Sequence, residues 1–156
     1  MTDQLRKIII EKENAVFRLD ANGRWQNQHG RFQHKKVIDY FHTCIKKDQH
    51  GFYLTQQRED CIEKVYFPYE ETAYFVFDVI VGDDIVLVLN TGQRLELDPR
   101  QLCIKKDNLY MRHKEDIIKF TDRSMMKMAA LMEDTEDGYA FVFQGRKYPI
   151  DTVDSF

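Results

Sequence analysis

Hydrophobic and polar residues follow one another in short blocks that predict many strands and few helices. The segments FYLTQ, CIEKVYF, AYFVFDVIV and IVLVLN are either continuously apolar or alternate with polar residues, as strands do. Turn-forming residues separate such blocks, for example Asn22-Gly23, Gly82-Asp83-Asp84 and Gln144-Gly145. The pattern therefore predicts a β-rich chain in which hairpins connect neighbouring strands.

Three segments show the spacing of amphipathic helices instead. One covers residues 35–47, and a second begins at residue 121 or 122 and continues to about residue 133. A short N-terminal helix is predicted over residues 3–12, with Thr2 as its N-cap. Its apolar stripe consists of Leu5, Ile8 and Ile9.

Residues 30–54 and 119–141 resemble each other in the order of their predicted elements. Each segment has an aromatic residue, a helix, a polar turn with glycine and an aromatic strand. When Phe32 is aligned with Phe120, Gly51 falls within one residue of Gly138. The predicted inward helix positions then pair as follows: Val37 with Met125, Tyr40 with Met128, Phe41 with Ala129, and Cys44 with Met132. A repeated unit explains this order, and chance similarity is the alternative. In either case each helix needs strands to cover its apolar stripe.

The clearest break in the chain is the segment PYEET, which starts at Pro68. Proline cannot continue a strand ladder, and the following acidic residues favour a solvated turn. We therefore expect two halves, residues 1–68 and residues 69–156. The predicted fold class is α+β and β-rich, with a helix packed on antiparallel strands in each half.

Charge and composition narrow the range of partners. The chain has 156 residues, of which 43% are hydrophobic, and its formal net charge is −3 from 23 basic and 26 acidic residues. This balance argues against binding to a nucleic-acid polymer, which requires a basic surface. A small anionic ligand or a protein partner is compatible with it, and the oligomeric state is left open.

The cysteines and the N-terminus predict a cytoplasmic protein. Cys44, Cys61 and Cys103 are odd in number and include no C-x-x-C pair, so we expect packed, reduced thiols, with a reactive cysteine as the alternative. The N-terminal apolar run is only three isoleucines, which is too short for a signal peptide or a membrane span.

No motif in the sequence predicts a catalytic, metal or cofactor site. The five histidines form no H-E-x-x-H motif, neither serine lies in G-x-S-x-G, and the glycines form no phosphate-binding loop. We therefore predict no metal and no cofactor. The rival interpretation is a small hydrolase or transferase that uses His29 or His113 as a general base.

Several motifs, taken in order, resemble a bacterial family known as domain-of-unknown-function family 1285. They are Asn22-Gly23-Arg24-Trp25, Gly51-Phe52-Tyr53-Leu54, Glu63-Lys64-Val65, and Arg112 with Arg123. The resemblance extends from residue 15 to about residue 150. It implies a duplicated α+β arrangement whose second half is loosely pleckstrin-homology-like. It also implies a ligand site at the interface of the halves and a link to signalling, and it implies no catalytic activity.

The leading hypothesis is a non-enzymatic ligand-binding or interaction module with its site in the groove between the halves. The candidate lining residues are polar or aromatic and fall on or beside strands near the repeated segments: Trp25, Lys64, Asn90, Arg112 and Arg123. For Trp25, packing on the first helix is the default interpretation, and lining a binding cleft is the alternative. Glu63 and Lys64 also have two interpretations. Either Lys64 binds an anion, or Glu63 forms a structural ion pair with Arg112 or Arg123.

The second predicted helix carries an unusual methionine-rich face. Its methionines are Met125, Met126, Met128 and Met132. Methionine side chains adapt to varied surfaces, so this face is either an interaction surface or part of the core.

Overall fold

A computed structural model of the chain describes residues 5–156. The chain divides into two compact units, the first ending at Ala73 and the second beginning at Tyr74. The division lies five residues beyond Pro68. None of the helices described in residues 5–156 is long and apolar enough to cross a membrane.

The N-terminal unit contains one helix and seven strands among residues 5–73. They are β1 (Arg6–Ile10), β2 (Phe17–Leu19), β3 (Trp25–Asn27), β4 (Gly30–Arg31), α1 (Lys35–Thr43), β5 (Lys46–Asp48), β6 (Gly51–Arg58) and β7 (Cys61–Tyr66). One sheet has the order β1-β7-β6-β5, and a smaller one has the order β2-β3-β4. Strand β1 pairs with β7 in parallel, whereas the other pairs in this unit are antiparallel.

An aromatic cluster fills the core of the N-terminal unit. Trp25 is almost fully buried, and its ring centroid lies 5.7 Å from that of Phe17, 5.3 Å from Phe41 and 4.9 Å from Phe67. Edge-to-face contacts of this kind add to the free energy gained from burial. The cluster brings together strands β2 and β3, helix α1 and the residue that follows β7.

The C-terminal unit contains one helix and nine strands among residues 74–156. They are β8 (Phe75–Val81), β9 (Ile85–Leu89), β10 (Arg94–Glu96), β11 (Leu102–Lys105), β12 (Asn108–His113), β13 (Asp116–Phe120), α2 (Asp122–Ala129), β14 (Met132–Thr135), β15 (Gly138–Phe143) and β16 (Arg146–Thr152). Their order in one continuous sheet is β10-β9-β8-β13-β12-β11-β16-β15-β14. The core lies on one face of this sheet, and Met128 of α2 packs into it.

The predicted N-terminal helix over residues 3–12 is wrong where the structure describes it. Residues Arg6–Ile10 form strand β1, and a short 3-10 helix follows at Lys12–Asn14. Three successive isoleucines favour a strand because their branched side chains fit a pleated surface. Pairing with β7 then stabilises that strand. The predicted cap Thr2 lies outside the described residues.

Both remaining helices begin where the sequence predicts and end about four residues earlier. Helix α1 ends at Thr43 and α2 at Ala129, and strands β5 and β14 follow almost at once. Each new strand pairs with the next strand through a glycine-containing turn. The apolar spacing continues past the helix ends, so periodicity alone extended both helices too far.

The inward face of α1 differs from the predicted one. Val37 is 43% exposed and Tyr40 59% exposed, whereas His42 is 2% exposed. The helix therefore presents His42 and the neighbouring Phe41 to the aromatic cluster. The predicted alignment of Val37 and Tyr40 with inward methionines of α2 is wrong for this reason.

Candidate functional site

A pocket of about 400 Å³ opens on the core face of the C-terminal unit. Its lining residues are Ile104, Asp107, Leu109, Met125, Ala129, Met132, Asp134 and Tyr139. Five of these eight residues are apolar, and two of the apolar ones are methionines. We call this concavity the methionine pocket.

Two walls of the methionine pocket come from α2 and from the hairpin β11–β12. Met125 and Ala129 are four residues apart, so they lie on the same side of α2. Ile104 and Leu109 are direct cross-strand partners, so they lie on one face of the sheet. Both are buried, at 9% and 0% exposure.

The third side of the pocket comes from the hairpin β14–β15. Met132 and Asp134 are two residues apart on β14 and therefore share a face. Tyr139 is the direct partner of Asp134 on β15 and points to the same face. Helix α2 has only eight residues, a length of about 12 Å. We attribute the opening to this short helix, which leaves part of the inner face of the sheet uncovered.

The polar side chains of the pocket belong to its rim. Asp107 follows Lys106 in the turn between β11 and β12, where both residues have positive φ, 65° and 47°. Asp107 and Asp134 are exposed, and Tyr139 is 45% exposed. The ion pairs described for residues 5–156 involve neither carboxylate. The pocket thus combines an apolar interior with an acidic rim.

The five residues predicted to share a site lie in different local structures. Trp25 and Lys64 belong to the N-terminal unit, and Asn90, Arg112 and Arg123 to the C-terminal unit. Their common site stays a prediction.

Trp25 packs on helix α1, as its default interpretation predicts. Its indole Nε1 donates a hydrogen bond to Nδ1 of His42, at 3.3 Å. Burial lowers the pKa of His42 to about 4, and the charge of Asp39 offsets only part of this effect. The histidine is therefore neutral at pH 7, with its proton on Nε2.

Lys64 is held by an acidic partner within the N-terminal sheet. Its Nζ lies 2.6 Å from Oδ2 of Asp48, which also accepts a hydrogen bond from the Tyr66 hydroxyl at 2.7 Å. Nζ lies 4.3 Å from the centroid of the Tyr53 ring, close enough for a cation–π interaction. The hydrogen bond from Lys64 holds the pKa of Asp48 well below its usual range, and the same bond raises the pKa of Lys64.

Asn90 has a structural contact at the start of the C-terminal unit. Its side-chain Oδ1 accepts a hydrogen bond from the Phe75 backbone N–H, and its backbone N–H donates one to the Phe75 carbonyl, both at 2.9 Å. Arg112 is exposed on β12, and Arg123 is exposed in the first turn of α2. Glu63 forms an ion pair with Arg58 of the neighbouring strand, at 3.2 Å.

The candidate histidine bases lie in turns and at a strand end. His29 follows β3, where its backbone N–H donates to Oδ1 of Asn27 and its ring Nε2 lies 3.3 Å from the Gln28 amide. His113 ends β12, opposite Asp116 of β13. Among the described residues, no group of three or more His, Cys, Asp and Glu side chains could hold a metal ion.

Sequence reasoning did not locate the methionine pocket as a site. The sequence indicated four methionines on the second predicted helix, and the structure separates them: Met128 is fully buried, Met126 is 77% exposed, and Met125 of α2 and Met132 of β14 line the pocket. The partners Ile104, Leu109 and Tyr139 look like ordinary strand residues in the sequence, so only the fold shows that they meet the methionines.

Comparison with known proteins relates the fold to one family. No family model matches the sequence, and no curated protein sequence does either. A solved structure of a DUF1285 family protein from Silicibacter pomeroyi DSS-3 superposes with a TM-score of 0.61 at 16% identity, covering 96% of this chain and 85% of that one. The chain resembles the DUF1285 family. This confirms the resemblance predicted from its motifs.

A second DUF1285 family protein, from Shewanella baltica OS155, is also similar in fold. Its structure superposes with a TM-score of 0.53 at 14% identity and covers 76% of this chain and 94% of that one. Both similar proteins are bacterial. At these identities the similarity concerns the fold alone, and the family name, domain of unknown function, assigns no activity.

Proposed function

We propose that the chain is a non-enzymatic binding module whose small ligand enters the methionine pocket. The observation that carries the proposal is an apolar concavity of about 400 Å³ next to a short helix. This volume falls within the range of about 300–1,000 Å³ that is typical of small-molecule sites. Met125 and Met132 are half-buried, and flexible methionines adjust readily to the shape of an apolar ligand.

The proposal is tested by blocking the pocket. Ala129 and Ala130 are both exposed, but only Ala129 lines the pocket. Ala129→Phe therefore adds an aromatic ring to the lining, whereas Ala130→Phe adds the same ring at the next residue, outside it. A panel of small apolar compounds is screened against the wild-type chain by thermal unfolding and by NMR of methionine methyl groups. At a concentration of about one hundred times its Kd, a ligand stabilises the protein by about 2.7 kcal/mol.

We expect ligands of this panel to shift the methyl signals of Met125 and Met132 and to leave the exposed Met126 unchanged. Ala129→Phe should weaken their binding at least about tenfold, and Ala130→Phe should not. The proposal fails if no compound moves the two pocket methionines, or if both phenylalanine variants bind equally well.

We also infer that the two units share a repeated motif. In each unit a helix is followed by an antiparallel three-stranded meander, β5-β6-β7 after α1 and β14-β15-β16 after α2. The last strand of each meander pairs in parallel with an earlier strand, β7 with β1 and β16 with β11. These shared features support the predicted duplication. The pleckstrin-homology-like character of the second half and a role in signalling stay predictions.

A further inference from the structure

The charged residues of the methionine pocket have a single sign. Asp107 and Asp134 are its charged lining residues, and they come from separate hairpins. Tyr139 adds a phenol oxygen beside Asp134, since the two residues are cross-strand partners. Among the residues that the structure describes, the lining therefore supplies several acceptor oxygens and no cationic side chain.

The two carboxylates lie at the mouth of an apolar cavity. Asp134 shares a strand face with Met132, and Asp107 is two residues before Leu109 of the β11–β12 wall. Both carboxylates attract a cation at the mouth of the cavity, because their charges have the same sign and both residues line it. Both carboxylates also repel an anion that enters the cavity.

We infer that the ligand of the methionine pocket has an apolar body and a cationic head group such as a protonated amine. This inference rests on the proposed function and adds the chemical class of the ligand. The apolar part contacts Met125 and Met132, while the ammonium group donates hydrogen bonds to Asp107 and Asp134. The charge preference is opposite to the small anionic ligand that the sequence suggested for a different site.

Three probes of equal length separate the effect of charge from that of apolar burial. They are octylamine, 1-octanol and octanoate, which at pH 7 are cationic, neutral and anionic respectively. The pocket volume of about 400 Å³ lies within the range of about 300–1,000 Å³ that is typical of small-molecule sites. An eight-carbon chain with its head group therefore fits inside the pocket.

Binding is measured on the full chain by titration of the methionine methyl signals, with Met126 as the internal control. We expect octylamine to bind about tenfold more tightly than 1-octanol, as a charge-assisted hydrogen bond predicts. Octanoate should bind more weakly than 1-octanol. Added salt should weaken octylamine binding and leave 1-octanol binding nearly unchanged.

Matched variants assign the preference to the two rim carboxylates. Asp107→Asn and Asp134→Asn each remove one charge, and both are expected to reduce the tenfold preference for the amine while 1-octanol binds as before. Asp137→Asn is the control, since Asp137 is an exposed carboxylate in the β14–β15 turn that does not line the pocket. It should leave the preference unchanged.

The outcomes distinguish failure of this inference from failure of the proposed function. If 1-octanol or octanoate binds as tightly as octylamine, the cationic head group is wrong and the binding module stands. The cationic head group is also wrong, and the binding module stands, if Asp137→Asn reduces the preference for octylamine as much as Asp107→Asn and Asp134→Asn do. If none of the three probes shifts Met125 and Met132 but another compound of the apolar panel does, this inference is overturned and the binding module stands. If no compound shifts them, both are overturned.

Discussion

His42 is a titratable side chain inside an aromatic cluster. Its ring centroid lies 5.7 Å from that of Trp25, and its Nδ1 accepts the indole N–H. The neutral imidazole thus satisfies a buried donor that would otherwise lose its hydrogen bond to water. Protonation at Nδ1 would remove this acceptor and leave a charge among apolar rings, which explains why burial lowers the pKa.

The first prediction concerns the pH dependence that His42 gives to stability. Its pKa is about 4 in the folded chain and about 6.5 when unfolded, so the unfolded chain binds more protons between these values. The contribution is fully present above pH 6.5 and is lost as the pH falls towards 4, by roughly 3 kcal/mol in total. Urea unfolding, followed by the fluorescence of Trp25, measures this change.

Two variants isolate the contribution of His42. His42→Leu should have lower stability at pH 7, and its stability should depend much less on pH between 6.5 and 5. His34→Gln, at an exposed histidine before α1, should keep the slope of the wild-type chain. An unchanged slope in His42→Leu would contradict the assignment.

The second prediction concerns Lys64, whose side chain is 15% exposed and pairs with Asp48, 26% exposed. Lys64→Met leaves the Asp48 carboxylate in a partly buried site without its cation, so we expect a lower urea midpoint. The double variant with Asp48→Asn should recover part of the loss, because no unpaired charge remains. Lys46→Met, at an exposed lysine of the same strand as Asp48, is the control.

A result in which the double variant is less stable than Lys64→Met alone would contradict this explanation.

Loss of Lys64 should also change the titration of Asp48. We expect the pKa of Asp48 to rise in Lys64→Met, since the hydrogen bond that lowers it is gone. Carbon-detected NMR of the carboxyl group measures this value.

At the scale of elements, the two helices begin differently. Thr121 caps α2: its hydroxyl accepts a hydrogen bond from the Ser124 N–H at 3.3 Å and donates one to the Val76 carbonyl at 3.0 Å. His34 precedes α1, and its side chain forms no cap hydrogen bond within residues 5–156. The cap therefore contributes to the position of α2 over the sheet, since it joins the helix start to β8.

The third prediction is that Thr121→Ala destabilises the chain. Loss of an N-cap hydrogen bond costs about 1–2 kcal/mol, and here the bond to β8 is lost as well. Thr135→Ala, at an exposed threonine that ends β14, should change the free energy of unfolding by less than about 0.5 kcal/mol. Urea unfolding of both variants checks this, and equal effects would show that the cap is unimportant.

The turns were predictable from sequence because their chemistry is local. Gln144 and Gly145 both have positive φ, 52° and 76°, and they join β15 to β16 as predicted. The Asn22-Gly23 hairpin is also present, and the Asp20 side chain accepts hydrogen bonds from the N–H groups of Asn22 and Arg24. A few neighbouring residues determine these conformations, so distant contacts do not override them.

Helix ends and the N-terminal strand were not predictable in the same way. Lys46 and Met132 continue the helical spacing of their segments, yet both residues pair in hairpins, with Tyr53 and Phe141. Strand β1 depends on β7, more than fifty residues away along the chain. Pairing partners at this distance decide between helix and strand where local preference is weak.

At the scale of the whole molecule, net charge governs association between copies. The formal net charge is −3 at pH 7, and the isoelectric point calculated from the sequence is about 6.0. Electrostatic repulsion between chains is therefore weakest near pH 6.

The fourth prediction is that self-association is strongest near pH 6 and decreases at pH 8. Static light scattering at constant protein concentration and low salt measures this trend. Added salt should reduce the difference between the two pH values, because it screens the charges that keep chains apart. Stronger scattering at pH 8 than at pH 6 would contradict the prediction.

By itself, the sequence determined the α+β class, the hairpin turns, the starts of both helices and the resemblance to the DUF1285 family. Each depends on residues close together in the chain or on the order of short motifs. Only the tertiary structure decided that His42 is buried and that Met125, Leu109 and Tyr139 line one pocket. The physical reason is that burial and cavity shape depend on side chains that folding brings together from distant segments, and no local spacing records which of them will meet.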